Sequence, residues 1–124
     1  MRILFMSIGS RGDMEPFLAL GQEMQTNGHQ VGFCFPAQFE ELANTVSPDF
    51  YPQDRAFLEL IEGPEIRKIM GQVGSGLSRI RTVIGLLSQT KSIQERLIVD
   101  QEKAVRAFQP DEVVFHIKCI YPVF

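Results

Sequence analysis

The chain has 124 residues, a formal net charge of −3 and 44% hydrophobic residues, which predicts one domain or a part of one. No stretch is strongly basic, and this argues against a nucleic-acid-binding protein. Its N-terminal apolar run is too short for a secretory signal, and no run approaches the ~20 apolar residues of a transmembrane helix. We therefore expect a cytoplasmic protein that binds no nucleic acid, with a peripheral membrane contact left open.

An apolar run, a polar turn and an amphipathic segment open the chain. Residues 2–8 predict a buried strand, and residues 17–24 predict a helix that stops at Gly28, because glycine suits the left-handed end of a helix. Residues 30–35 predict a second strand, which Pro36 ends. A strand, a helix and a strand within about 35 residues predict a βαβ unit, whose strands are parallel.

The rest of the chain continues to alternate strands with helices. In order, the predicted segments are a short helix at 37–45, a brief strand at 50–52, a loop with a helical turn at 53–63, a helix at 64–70, a glycine-rich joint at 71–76, a long helix at 77–108 with a break at 88–91 as an alternative, and a strand at 112–117. This pattern predicts an α/β fold, a Rossmann-like parallel sheet with helices on both faces. Because the last apolar run stops abruptly, we expect the sheet to be truncated.

Two cysteines, Cys34 and Cys119, lie in apolar, strand-like runs and have no C-x-x-C spacing. This context predicts buried free thiols in a reducing compartment. A disulfide or a metal-binding pair is the alternative.

The turn at residues 9–16 joins the first strand to the first helix, the position where open α/β sheets bind ligands. One interpretation is structural, with Asp13 as the helix N-cap and Glu15 complementing the helix dipole. Dinucleotide binding is disfavoured, because the glycines follow G-x-x-G and Pro36 stands where an acidic residue would end the second strand. The Arg-Gly-Asp string at 11–13 arises often by chance and is not interpreted as an adhesion motif.

Residues 9–21, GSRGDMEPFLALG, resemble the opening of GT-B glycosyltransferases that use nucleotide-activated sugars. The likeness is greatest to the branch that comprises sterol and other lipid glucosyltransferases and the glycopeptide-antibiotic glycosyltransferases. It extends to GHQV at 28–31, which is similar to the G-H-x-V of that branch, and to FQPDEVV at 108–114, which resembles its P-D-x-V-V strand. The region at 53–107 carries little of the likeness and corresponds to the variable segment that shapes the acceptor pocket.

The resemblance implies that residues 1–124 are the N-terminal, acceptor-binding domain of an inverting glycosyltransferase, and that a C-terminal domain outside this chain binds the nucleotide sugar. The implied reaction moves a hexose from a nucleotide sugar, expected to be a UDP-sugar, to a hydroxyl of a lipid, sterol-like or other hydrophobic acceptor. No metal or cofactor is implied, and the nucleotide sugar is a co-substrate. The alternative function is a non-catalytic Rossmann-like domain that binds a ligand.

The resemblance also assigns roles to single residues. Asp13 corresponds to the general base that deprotonates the acceptor hydroxyl. The residues implied to face the donor phosphates are Gly9, Ser10, Arg11 and Gly12. The residues expected to contact the acceptor are Met14, Glu15, Met70 and His116.

The two histidines and the segment at 71–76 allow more than one interpretation. His29 lies at the far end of the first helix, which predicts a surface or helix-terminal role. His116 lies near the carboxyl end of the last strand and either lines the acceptor cleft or is a structural strand-end residue.

The joint at 71–76 is either a flap over the acceptor or an ordinary helix connection. A mild basic cluster is either a solvated face or a contact for anionic lipid; it comprises Arg67, Lys68, Arg79, Arg81 and Lys91.

Overall fold

The computed structural model describes residues 1–56, 76–116 and 119, with the backbone alone over 76–90. Its elements in chain order are strand β1 (Arg2–Met6), helix α1 (Arg11–Thr26), strand β2 (Gln30–Pro36), a 3₁₀ turn (Ala37–Phe39), helix α2 (Glu40–Asn44), strand β3 (Phe50–Gln53), helix α3 (Gly76–Phe108) and strand β4 (Glu112–Phe115). The predicted helix at 64–70, which includes Met70, and the joint at 71–75 lie outside the described residues. Within the ranges that are described, no helix is both long and apolar enough to cross a membrane.

The four strands form one parallel sheet in the order β3-β2-β1-β4. Strand β1 is central, because Phe5 pairs with Phe33 of β2 on one side and with Val114 of β4 on the other. A central parallel strand is buried on both faces, which explains why β1 is apolar and buried from Ile3 to Met6. The predicted βαβ unit is confirmed by the parallel pairing of β1 with β2.

Helices cover both faces of the sheet, so the predicted fold class is confirmed. Alternate residues of β1 belong to the two hydrophobic clusters: Ile3 and Phe5 pack beneath α1 and α2, whereas Leu4 and Met6 pack beneath α3. On the first face the ring of Phe33 stacks on Phe5, with centroids 5.7 Å apart. The core therefore consists of two apolar layers separated by the sheet.

Helix α1 begins at Arg11, whereas the sequence predicted a start at residue 17. Ser10 is the N-cap residue, with extended backbone (φ −82°, ψ 172°), and Asp13 is the third residue of the helix. The structural interpretation of the turn, one of the alternatives above, had Asp13 as the N-cap, and this is not observed. The physical reason is that the Asp13 carboxylate reaches back to the N–H of Ser10, which satisfies a donor at the helix start.

The end of the long helix is attached to the start of the sheet. Helix α3 is continuous to Phe108, so the alternative break at 88–91 is not observed. The Arg2 guanidinium lies 4.6 Å from the centroid of the Phe108 ring, and Arg2 Nε donates to the Phe108 carbonyl at 2.9 Å. The backbone N–H of Arg2 donates to Asp111 at 2.7 Å. These contacts hold the turn before β4 beside β1.

Cys34 and Cys119 are both free and buried, as predicted, and they belong to the hydrophobic cluster beneath α3. Burial raises the pKa of the Cys34 thiol far above its ordinary value of 9.0, and the neighbouring Cys119 adds to this effect. Burial also raises the pKa of Cys119 to about 12. Both thiols therefore stay protonated in the folded protein at neutral pH.

The close approach of α1 to β2 makes Gly21 sensitive to substitution. A Cβ atom added at Gly21 would lie 2.7 Å from Cζ of Phe33, whose ring is fully buried. We expect Gly21→Ala to lower the free energy of unfolding by about 1–3 kcal/mol through overpacking. Gly12→Ala is the matched control on the same helix, because its nearest neighbour would be 3.7 Å away, and it should be neutral or stabilising. Urea denaturation measures both; equal effects would contradict the tight packing.

The buried thiols predict a loss of stability in alkali. An unfolded thiol loses its proton near pH 9, whereas the folded thiols keep theirs to higher pH, so the unfolded state binds fewer protons above pH 9. The free energy of unfolding should then fall with rising pH by about 1.4 kcal/mol per pH unit for each thiol. Urea denaturation between pH 8 and about pH 11 measures the slope. The double variant Cys34→Ala/Cys119→Ala should show a flatter slope. An unchanged slope would contradict the raised pKa values of the two thiols.

Candidate functional site

The carboxyl edge of the sheet brings the turn after β1 next to the residue that follows β4. The backbone N–H of Ser7 donates to the carbonyl of Cys34 at 3.2 Å, and the N–H of His116 donates to the carbonyl of Met6 at 2.9 Å. These bonds continue the pairing of β1 with both of its neighbours. His116 follows β4 directly rather than lying within it, and its backbone position is set by the sheet.

Gly9 makes room for the Asp13 carboxylate. Its φ of +137° is a conformation that side-chain-bearing residues rarely adopt, and a Cβ atom at this position would overlap Asp13 Oδ2. That same oxygen accepts the backbone N–H of Ser10 at 3.0 Å and lies 3.4 Å from Ser10 Oγ. The glycine at position 9 and the cap at position 10 therefore hold one carboxylate oxygen in a defined place.

The second carboxylate oxygen of Asp13 faces a histidine. Asp13 Oδ1 lies 4.0 Å from His116 Nε2, and the two side chains are 27% and 29% exposed. This separation is longer than a hydrogen bond but within the range of an ion pair when the imidazole is protonated. A carboxylate and an imidazole with partial solvent access form a pair that can accept and release a proton.

The exposed first turn of α1 presents the other residues expected at this site. Ser10, Arg11 and Gly12 are all exposed, at the helix end where the macrodipole is positive. Arg11 Nε pairs with Glu15 Oε1 at 3.0 Å, and both side chains are largely exposed. An exposed pair of this kind contributes at most about 1 kcal/mol, so Arg11 remains available to an anionic ligand.

Met14 does not share this surface. It is fully buried in the hydrophobic cluster beneath α1, because the helix starts at Arg11 and its inner face then comprises Met14, Leu18 and Gly21. We therefore do not include Met14 among the site residues, which corrects its expected contact with the acceptor. Met70 lies outside the described residues. His29 lies at the opposite end of α1, as predicted, where its Nδ1 is 3.0 Å from the N-terminal amine.

Two buried glutamines support the edge that carries the site. Gln53 Nε2 donates to the carbonyls of Ser7, at 3.0 Å, and Cys34, at 2.7 Å. Its Oε1 accepts from Gln101 Nε2 of α3 at 3.0 Å. The amide of Gln53 thus ties together the ends of three strands and is itself held by a helix. Neither glutamine was predicted from the sequence. For Gln53 the available signal was a long amide side chain directly after the predicted strand at 50–52, whereas Gln101 lies within α3.

A charged depression of about 360 Å³ lies beside β3 and α3 but offers a weaker site. Asp54 accepts the N–H of Ala56 at 2.7 Å and Arg96 Nη1 at 3.3 Å, while its own N–H donates to Asp100 at 3.0 Å. These groups pair with one another and stabilise the turn after β3. Among the described residues, no group of three or more His, Cys, Asp or Glu could hold a metal ion.

A family model described as the glycosyltransferase family 28 N-terminal domain matches residues 3–109. Among similar proteins, a sterol 3-beta-glucosyltransferase of Arabidopsis thaliana is 38% identical over 52 residues, which are 42% of this chain and 8% of that protein. The O-mycaminosyltylonolide 6-deoxyallosyltransferase of Streptomyces fradiae is 35% identical over 80 residues, covering 56% of this chain and 19% of that protein. The chain thus spans less than a fifth of the length of these relatives.

Solved structures of similar fold include CalG4, the calicheamicin glycosyltransferase, with a TM-score of 0.61 and 18% identity. The match covers 92% of this chain and 26% of CalG4. At this identity the likeness concerns the fold, and it agrees with the parallel sheet and the helices on both faces described above. The family match covers most of the chain and includes the turn that carries Asp13. The chain therefore belongs to the glycosyltransferase family 28 N-terminal domain family.

Proposed function

We propose that this domain is the acceptor-binding part of a glycosyltransferase, which moves a hexose from a nucleotide sugar, a UDP-sugar in the simplest case, to a hydroxyl of a lipid, sterol-like or other hydrophobic acceptor. The observation that carries the proposal is the partly exposed carboxylate of Asp13, held by Ser10 at the carboxyl edge of the sheet. Family membership and the relatives that are named as sterol glucosyltransferases support it. A second domain, outside this chain, would bind most of the donor.

In the proposed reaction Asp13 acts as the general base. The acceptor O–H bond breaks and its proton passes to the carboxylate, while the acceptor oxygen forms a bond to the anomeric carbon. The bond from that carbon to the phosphate oxygen breaks on the opposite face, so the configuration inverts. The Ser10 N–H binds Oδ2, and we assign the acceptor proton to Oδ1, the oxygen that faces His116.

The first turn of α1 would stabilise the leaving nucleotide. Its exposed residues, Ser10, Arg11 and Gly12, lie at the positive end of a 16-residue helix. Negative charge grows on the diphosphate as the glycosidic bond breaks, and backbone N–H groups with an arginine lower the energy of that charge. Arg11 needs to leave only an exposed ion pair with Glu15 to reach it. Neither a metal ion nor a cofactor is part of the proposal.

The proposal extends to the acceptor and to the location of the protein. Glu15 is exposed and His116 is partly exposed opposite Asp13; we place both on the acceptor side of the site, where Glu15 contacts the acceptor and His116 contacts Asp13. A hydrophobic acceptor is held in membranes, so we propose a cytoplasmic protein that contacts a membrane surface peripherally. The exposed Lys91 is the member of the basic cluster whose side chain the structure describes, and a cation there favours an anionic lipid surface.

Asp13→Asn tests the base directly. We expect the variant in the full-length protein to lose transfer activity by about 10²–10⁴-fold, because an amide cannot take the acceptor proton. Folding should persist, since the Asn carbonyl oxygen can still accept the N–H of Ser10. Transfer is measured with a panel of nucleotide sugars and hydrophobic acceptors, and folding by urea denaturation. Glu23→Gln, the same loss of charge far along α1, is the control and should retain activity.

Two results of that experiment would contradict the proposal. Activity of Asp13→Asn equal to that of the wild type would remove Asp13 from the reaction. A wild-type protein that binds hydrophobic ligands but transfers no sugar from any donor would favour the non-catalytic binding domain.

Gly9→Ala tests the position of the carboxylate instead of its charge. The new methyl group would occupy the place of Asp13 Oδ2, so we expect transfer to fall at least tenfold. Gly28→Ala is a matched control, because Gly28 also has a positive φ, of +89°, but nothing lies within 4 Å of an added Cβ. Both variants should lose about 1–3 kcal/mol of unfolding free energy from backbone strain, and Gly9→Ala should lose the Asp13–Ser10 cap contact in addition. Only Gly9→Ala should lose activity, and equal activities would contradict the role of the turn.

A further inference from the structure

The two oxygens of the Asp13 carboxylate have different surroundings. Oδ2 is occupied by the backbone N–H of Ser10 at 3.0 Å, on the side of Gly9. Oδ1 lies 4.0 Å from His116 Nε2. The carboxylate therefore has a helix-capping oxygen and a second oxygen that faces a titratable side chain.

The position of His116 is set by the fold rather than by a flexible loop. Its N–H donates to the carbonyl of Met6 in the central strand at 2.9 Å, and its carbonyl accepts the N–H of Cys119 at 2.8 Å. The imidazole therefore starts from a backbone that is anchored on both sides. A side-chain movement of about 1 Å would bring the two groups to hydrogen-bond distance. Catalytic hydrogen bonds commonly shorten in this way when the substrate binds.

We propose that His116 and Asp13 form a proton relay, in which His116 receives the acceptor proton from Asp13. This inference rests on the proposed function. First the acceptor O–H bond breaks and the proton binds Asp13 Oδ1, as the new bond to the anomeric carbon forms and the electron pair of the old bond leaves with the nucleotide. The proton then passes from Oδ1 to the lone pair of His116 Nε2. Asp13 is a carboxylate again, and His116 is an imidazolium.

The exposure of the pair suits this sequence of steps. His116 is 29% exposed, so the imidazolium can release its proton to water. The nearby charged side chains on α1, Arg11 and Glu15, pair with each other at 3.0 Å. His116 acts through Asp13 and is therefore a positioning and relay residue, distinct from the base that contacts the acceptor.

A double-mutant cycle on the full-length protein tests the relay. We expect His116→Gln to lower kcat about 10- to 100-fold with little change in the KM for the acceptor, because the relay follows binding. Asp13→Asn combined with His116→Gln should be no slower than Asp13→Asn alone, since His116 acts only through Asp13. Imidazole added to His116→Ala should restore part of the rate. Losses that multiply in the double variant, or a wild-type rate for His116→Gln, would overturn the relay.

His29→Gln is the matched control for that cycle. It is the same substitution at the opposite edge of the domain, where His29 contacts the N-terminal amine, and it should keep the wild-type rate. A loss in His29→Gln equal to that in His116→Gln would show a general effect of histidine removal and would overturn the assignment.

A measurement that needs no activity separates this inference from the proposed function. In protein labelled with ¹⁵N-histidine, the ring signal that disappears in His116→Gln belongs to His116. We expect Asp13→Asn to shift that signal clearly, whereas Glu23→Gln, an equal charge change on the same helix, should not. A shift in a protein without transferase activity would support the pair and contradict the proposed function. A signal insensitive to Asp13→Asn would overturn the pair even in an active enzyme.

Discussion

The site depends on the hydrogen bonding of β1 to two parallel neighbours. Because β1 lies between β2 and β4, the residues that follow β1 and β4 emerge side by side at the carboxyl edge. The N–H of His116 binds the carbonyl of Met6, which continues this pairing beyond β4. Asp13, three residues into the helix after β1, and His116 come within 4.0 Å for this reason. A different strand order would have separated them.

One carboxylate serves both the fold and the candidate chemistry. Asp13 satisfies the N–H of Ser10 with Oδ2, which is a stabilising contact at the start of α1. Its other oxygen, Oδ1, lies 4.0 Å from His116 Nε2, and the side chain is partly exposed. Gly9 is required for both, since a side chain there would occupy the place of Oδ2. A helix-capping contact and a general base are therefore compatible interpretations of the turn, although the sequence alone presents them as alternatives.

A buried polar contact keeps this edge in register. Gln53 bonds to the carbonyls of Ser7 and Cys34, and Gln101 of α3 holds its other end. Each bond satisfies a buried polar group that would otherwise cost about 1–3 kcal/mol. The turn at 9–16 thus begins from a backbone fixed on the side of β2 by Gln53 and on the side of β4 by His116. Rigid support of this kind holds catalytic groups in position.

The sequence by itself determined the local order of strands and helices, the parallel βαβ unit and the turn that carries Asp13. Apolar runs, glycines and prolines act over a few residues, so their meaning is readable along the chain. Only the tertiary structure decided that α1 starts at Arg11, because the hydrogen bond between Ser10 and Asp13 sets the N-cap. A helix that starts there has Met14 on its inner, buried face. The tertiary structure also decided the meeting of His116 with Asp13, which are far apart in the chain and are brought together by the strand order. Contacts between distant residues depend on how elements pack, and no local pattern specifies that packing.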